Sequence, residues 1–96
     1  MPTAISQFET PNASRYLQQL CKHFAHKVAS EFNESAGIVE LPGGKLSLKT
    51  QGHTLSIWIE GEDAKGMTKA RYVLEDHLVR FAFRENLLGL YWTFEE

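Results

Sequence analysis

Two runs of strict alternation, residues 45–51 and 53–60, constrain this chain more than any other feature. In the first, Leu46, Leu48 and Thr50 share one face, and Ser47, Lys49 and Gln51 the other. In the second, Leu55, Ile57 and Ile59 oppose Ser56, Trp58 and Glu60. Gly52-His53 separates the runs, so together they read as a β-hairpin with one apolar face. Such a face has to be covered. Two amphipathic segments, one on each side of the hairpin in sequence, are the available cover.

The earlier segment starts at Thr10-Pro11, where Thr10 can cap free N–H groups and Pro11 suits the first helical position. It is expected to run to about Lys27. Leu17, Leu20, Cys21, Phe24 and Val28 recur at helical spacing and define its buried stripe. Tyr16, His23 and Lys27 fall on one flank, with His26 one turn from His23. The later segment opens at Gly61-Glu62-Asp63, with acids where the helix dipole favours them. Met67, Ala70, Leu74, His77, Leu78 and Phe81 form its stripe, and it is expected to end near Glu85-Asn86. Gly66 weakens its first turns.

Shorter alternating stretches complete the sheet. Residues 4–9 read as an edge strand, and residues 29–32 and 37–41 as two more, separated by Asn33-Glu34-Ser35. Pro42-Gly43-Gly44 is a strong turn signal before the hairpin. At the end, Leu88, Leu90, Trp92 and Phe94 alternate with Gly89, Tyr91, Thr93 and Glu95. Large side chains on both faces predict a central strand there. The expected fold is an α+β two-layer sandwich: two helices on one face of a mostly antiparallel sheet. Trp58 and Tyr91 fall on faces opposite the expected core, and an exposed aromatic sheet face suits a subunit interface.

A chain of 96 residues is expected to form a single domain, because half of it could not build a core of its own. Six Phe, three Tyr and two Trp are enough for one core. The formal net charge of −2 and the scattered Lys and Arg argue against a nucleic-acid partner, which calls for a basic surface. No apolar run approaches the roughly 20 residues that span a bilayer, so no membrane partner is expected. The first seven residues carry neither a basic nor an apolar signal region. The lone Cys21 cannot form an internal disulfide. A cytoplasmic location is the resulting expectation.

Three groups of residues could carry chemistry. Cys21, His23 and His26 are metal-ligand types, and histidines three apart can share one ion. Cys21 lies well round the helix from His26, so the plainer reading is a core cysteine and two solvated histidines. His77 sits on an apolar stripe, where both ring nitrogens need an account. A backbone carbonyl can satisfy one; alternatively, His77 reaches across to His23 or Cys21. Arg80 and Arg84 are one turn apart, with Asp76 and Glu85 nearby. They can grip a carboxylate or phosphate, or form a surface charge ladder. The phosphate, dinucleotide, thiol-redox, zinc-protease and nucleophile-elbow spacings are all absent from the sequence.

Arg15-Tyr16-Leu17, Leu20-Cys21-Lys22-His23-Phe24-Ala25-His26-Lys27, Leu41-Pro42-Gly43-Gly44, and His77-Leu78-Val79-Arg80-Phe81-Ala82-Phe83-Arg84-Glu85 with Trp92 together resemble an uncharacterised bacterial family, DUF2218. The resemblance spans nearly the whole chain. It implies a stand-alone bacterial domain, some of whose relatives are attached to, or encoded near, siderophore-interacting proteins, and so suggests iron handling. The matching positions include Tyr16, Cys21, His23, His26, His77, Arg80 and Arg84. Three functional classes follow, in ranked order. The first is a binding or accessory module, linked to iron or siderophore use, with a small anionic ligand or a siderophore-related protein as partner. The second is a metal-dependent enzyme using His23, His26 and His77. The third is a structural homodimer or larger homo-oligomer. Any polar site is expected where the two helices meet, around His23, His77 and Arg80. A nearby arginine favours an anion over a bare cation there.

Overall fold

The computed structural model describes residues 2–95. The hairpin forms where alternation requires it, as β4 (Gly44–Gln51) and β5 (Thr54–Gly61). Leu46, Leu48, Leu55, Ile57 and Ile59 are fully or almost fully buried on its inner face. Before it come β1 (Thr3–Glu9), α1 (Ala13–Phe24), β2 (Ser30–Phe32) and β3 (Ala36–Leu41); after it come α2 (Ala64–Phe81), a 3-10 turn (Phe83–Glu85) and β6 (Thr93–Glu95). All pairings are antiparallel and give one six-stranded sheet in the order β2-β3-β4-β5-β1-β6. Both helices lie on one face, α1 over β2, β3 and β4 and α2 over β4 and β5. Among the described residues, no helix is long and apolar enough to cross a membrane.

The shared core holds Leu17, Leu20, Cys21 and Phe24 of α1 and Met67, Ala70, Leu74 and Leu78 of α2. Phe81 packs against it while only partly buried. Two close approaches set how the helices sit. A Cβ added to Gly37 of β3 would lie 2.7 Å from the Cys21 sulfur, so that glycine lets α1 press directly on the sheet. Gly43 turns the chain at φ 89°, and a Cβ there would lie 2.7 Å from the Gly66 carbonyl oxygen. Gly66 thus exchanges helix propensity for backbone contact with the turn. Asp63 caps α2, its carboxylate accepting from the Gly66 N–H at 2.7 Å.

Three expectations need correction. The first strand is not an edge: β1 pairs with β5 along its full length and with β6 on its other side. The final strand is not central: it is reduced to the three edge residues of β6. Periodicity says which face a side chain takes, not which strand lies next to it. Residues 87–92 cross from the end of α2 to the sheet without joining a ladder. They are tied instead by the Ser6 hydroxyl donating to the Tyr91 carbonyl and the Trp92 indole donating to Glu75, both at 2.7 Å. Third, α1 begins at Ala13 rather than at Pro11, and the Thr10 hydroxyl accepts from the Asn12 N–H at 3.0 Å while serving a second contact described below.

Candidate functional site

Where the last turn of α1 meets the C-terminal part of α2, the rings of His23 and His77 lie 4.5 Å apart, inclined at 47°. Phe24 and Phe81 frame them, with the Phe24 ring 5.1 Å from His77 and the Phe81 ring 5.8 Å from His23. His77 is half-buried, and its Nδ1 lies 2.7 Å from the Val73 carbonyl oxygen, one turn back. A carbonyl only accepts, so Nδ1 carries the proton and Nε2 is the nitrogen left for a ligand. After Phe24 the chain tightens, with the N–H of Lys27 and that of Val28 both donating to the Phe24 carbonyl at 3.0 and 2.9 Å. This turn places Lys27 beside the cleft that the two rings border.

The result is a cleft of about 190 Å³. Val28, Leu41, Pro42 and Val73 supply apolar wall, and His23, His77 and Lys27 the polar groups. Burial lowers the His23 pKa below the ordinary imidazole value, and the neighbouring bases His77, His26 and Lys27 lower it further. The lining carries basic groups, Lys27 with the two histidines, and no acidic one, which favours a positive local potential. A cleft with apolar walls and such a potential suits an anion on an apolar body.

The other sequence-derived candidates lie elsewhere. Arg80 is 70% exposed and pairs with Asp76 at 3.2 Å, the surface ladder its spacing allowed. The Arg84 guanidinium lies 5.6 Å from the centre of the Phe83 ring. Neither arginine lines the cleft. Cys21 is fully buried against Gly37, and burial pushes its thiol pKa up. His26 is exposed in the turn after α1. Among the described residues, no three His, Cys, Asp or Glu side chains are placed to hold a metal ion. Cys21, His23 and His26 therefore do not converge.

Tyr16 belongs to a second polar cluster, at the opposite end of α1. One oxygen of Glu85, in the 3-10 turn after α2, accepts hydrogen bonds from the Thr10 hydroxyl at 2.9 Å, the Asn12 amide at 3.1 Å and the Tyr16 hydroxyl. Burial pushes the Glu85 carboxyl up, but the bonds from Tyr16, Thr10 and Asn12 outweigh it and hold the pKa below the ordinary value. Burial first, and then Glu85, raise the Tyr16 pKa. In the sequence Glu85 stood as a helix end and a neighbour of the paired arginines, not as a site residue. Its three donors stand 69 to 75 residues earlier, a separation that no local pattern reveals.

The architecture is shared with a solved structure. The NMR structure of PA4090 from Pseudomonas aeruginosa superposes with a TM-score of 0.77 at 25% sequence identity, covering 99% of this chain and 96% of that one. No curated protein matches. The model of a family described as an uncharacterized protein conserved in bacteria, DUF2218, matches residues 5–93. That span takes in β1 from Ile5 onward, β2 to β5, both helices, the imidazole cleft and the Glu85 cluster, and on that match this chain belongs to the bacterial DUF2218 family.

Proposed function

We propose that this protein is a small binding module rather than an enzyme, and that its ligand seat is the cleft between α1 and α2. The ligand would present a carboxylate, or comparable anionic oxygens, on a flat apolar body. The observation that carries this reading is the His23–His77 ring pair, 4.5 Å apart in a cleft that Lys27 also lines. One imidazole of the pair has its Nδ1 committed to a backbone carbonyl and, among the described residues, no hydrogen-bond partner at Nε2. Lys27 supplies the charge first sought in Arg80. Two imidazoles supply hydrogen bonds or ring contacts, and Val28, Pro42 and Val73 take the apolar part.

Iron or siderophore use, suggested by the family resemblance, fits this reading in a restricted form. At about 190 Å³ the cleft is smaller than the roughly 300–1,000 Å³ of pockets that enclose drug-sized ligands. It would take one aromatic carboxylate or catechol arm of a siderophore, not a whole ferric chelate. The metal-enzyme reading has only the two facing imidazoles, His23 and His77, to build on, since His26 does not line the cleft.

Calorimetric titration with benzoate, benzamide and acetate tests the proposal. Benzoate should bind, with benzamide weaker for want of charge and acetate weaker for want of an apolar body. Lys27→Met should reduce benzoate affinity by about tenfold, the effect of losing one partly desolvated charge contact. Equal heats for benzoate and benzamide, or an unaffected Lys27→Met variant, would remove the anion from the account. Tight zinc uptake by the two histidines, with no response to benzoate, would favour the metal reading.

A further inference from the structure

The sheet has a second face, which neither helix covers. Its central cross-strand row runs Ile38, Ser47, Trp58, Ile5 through β3, β4, β5 and β1. Trp58 is 53% and Ile38 45% exposed, although both are large apolar side chains. The next row runs Glu40, Lys45, Glu60, Thr3 through the same strands. On the other side of the central row, Lys49 stands beside Ser56.

We infer that this face binds a second copy of the chain, around a two-fold axis lying along the strands between β4 and β5. Three features carry the inference. The first is symmetry of register. The line between β4 and β5 divides the six strands evenly, so it sets β4 against the other copy's β5 and β3 against its β1. Ile38 then faces Ile5 of the second copy, and Trp58 faces Ser47, a large side chain over a small one, as interdigitating sheets require.

The second feature is charge. On this axis Lys45 of each copy faces Glu60 of the other, Lys49 faces Ser56, and Glu40 faces Thr3. Other axes bring like charges together: an axis along β4 sets Lys45 and Lys49 against themselves, one along β5 sets Glu60 against itself, and one across the strands through Ser47 sets Lys45 against Lys49. Like charges face to face cost several kcal/mol at an interface, so the face discriminates among its own docking modes.

The third feature is area. Six strands about 4.8 Å apart, four of six to eight residues and two of three, present roughly 550 Å². A stable interface takes about 800 Å² per partner, with the lower end near 600 Å², so this face suits a weak, concentration-dependent dimer. Packing at the usual angle of about 30° between facing sheets places the axis about 15° from the strand direction. Edge-to-edge pairing is the poorer alternative, because both edge strands, β2 and β6, have only three residues.

Sedimentation equilibrium of the full chain, from about 1 µM to about 1 mM, tests the inference across the range expected for such an interface. The wild type should pass from monomer to dimer within that range. Trp58→Glu, Lys45→Glu and Glu60→Lys should each stay monomeric, with dimer affinity down by roughly a hundredfold or more. Each should keep the wild-type circular dichroism, since all three positions are exposed. Mixing Lys45→Glu with Glu60→Lys should restore a dimer, because the two acids of one variant then face the two bases of the other across the axis, while each variant alone opposes like to like. A wild type that stays monomeric overturns the inference. So does a dimer that survives Trp58→Glu, or a mixture that fails to associate.

Discussion

The same two helices are joined by two polar clusters, and the clusters are built on opposite principles. At the start of α1, one Glu85 oxygen collects three donors, Thr10, Asn12 and Tyr16. Thr10 is 1% exposed and Tyr16 6%, so these groups have little access to water. At the end of α1, His23 and His77 meet ring to ring, His23 exposed and His77 with no hydrogen-bond partner at Nε2 among the described residues. Buried polar groups are costly unless paired, so the Glu85 cluster is a fastening. The imidazole pair borders an open cleft and has unmet bonding capacity, which is what a ligand seat needs. Polarity between helices is therefore not one signal: satisfied, it holds the fold; unsatisfied and accessible, it offers a site.

The contrast can be broken at its centre or at one end. Leu78 lies on α2 between His77 and the 3-10 turn and is fully buried. Leu78→Ala should cost about 2–5 kcal/mol in denaturant unfolding. A loss below about 0.5 kcal/mol, typical of surface positions, would contradict its place in the core. Glu85→Ala should cost about 1–3 kcal/mol, because it strands the buried Thr10 and Tyr16 hydroxyls. Benzoate affinity at the distant cleft should stay at the wild-type value, and a parallel loss of binding would show that the two clusters are not separable. Acid provides a gentler version of the same change. The Glu85 pKa is depressed in the folded chain, so the native state binds its proton less readily than the unfolded state. Its contribution is present above the unfolded carboxylate pKa of about 4.3 and is lost as pH falls through the lower folded value. A Glu85→Gln variant should flatten that part of the stability curve.

How much of this was legible depends on the range of each interaction. The hairpin, both helical stripes and the Pro42-Gly43-Gly44 turn are local patterns, and the fold contains them. The neighbours of β1 and β6 are not local, since alternation assigns faces without ordering strands. Leu88 and Tyr91 alternate in sequence like strand residues, yet they are 94% and 96% exposed in an irregular crossing. The Glu85 cluster was illegible because its donors are far away in sequence, and two of them, Thr10 and Asn12, are types that also cap helices. The approach of His23 to His77 followed from placing two helices on one sheet. Arg80 did not join them: one turn from His77 along α2 it still has Asp76 within reach, and it pairs outward. Helical spacing locates a side chain on a face but leaves open which neighbour a long, flexible one selects.

The most direct test of the ligand seat is the pKa of His23, read from its ring protons by NMR with and without saturating benzoate. In the free protein, burial and the bases around it hold that pKa low. An anion bound beside the ring would favour the imidazolium, so benzoate should raise the His23 pKa, and benzoate should bind more tightly as pH falls through it. The His77 ring signals should shift in the same titration. A His23 pKa unchanged at saturating benzoate, with the His77 ring unmoved, would contradict the assignment of the cleft as an anion seat.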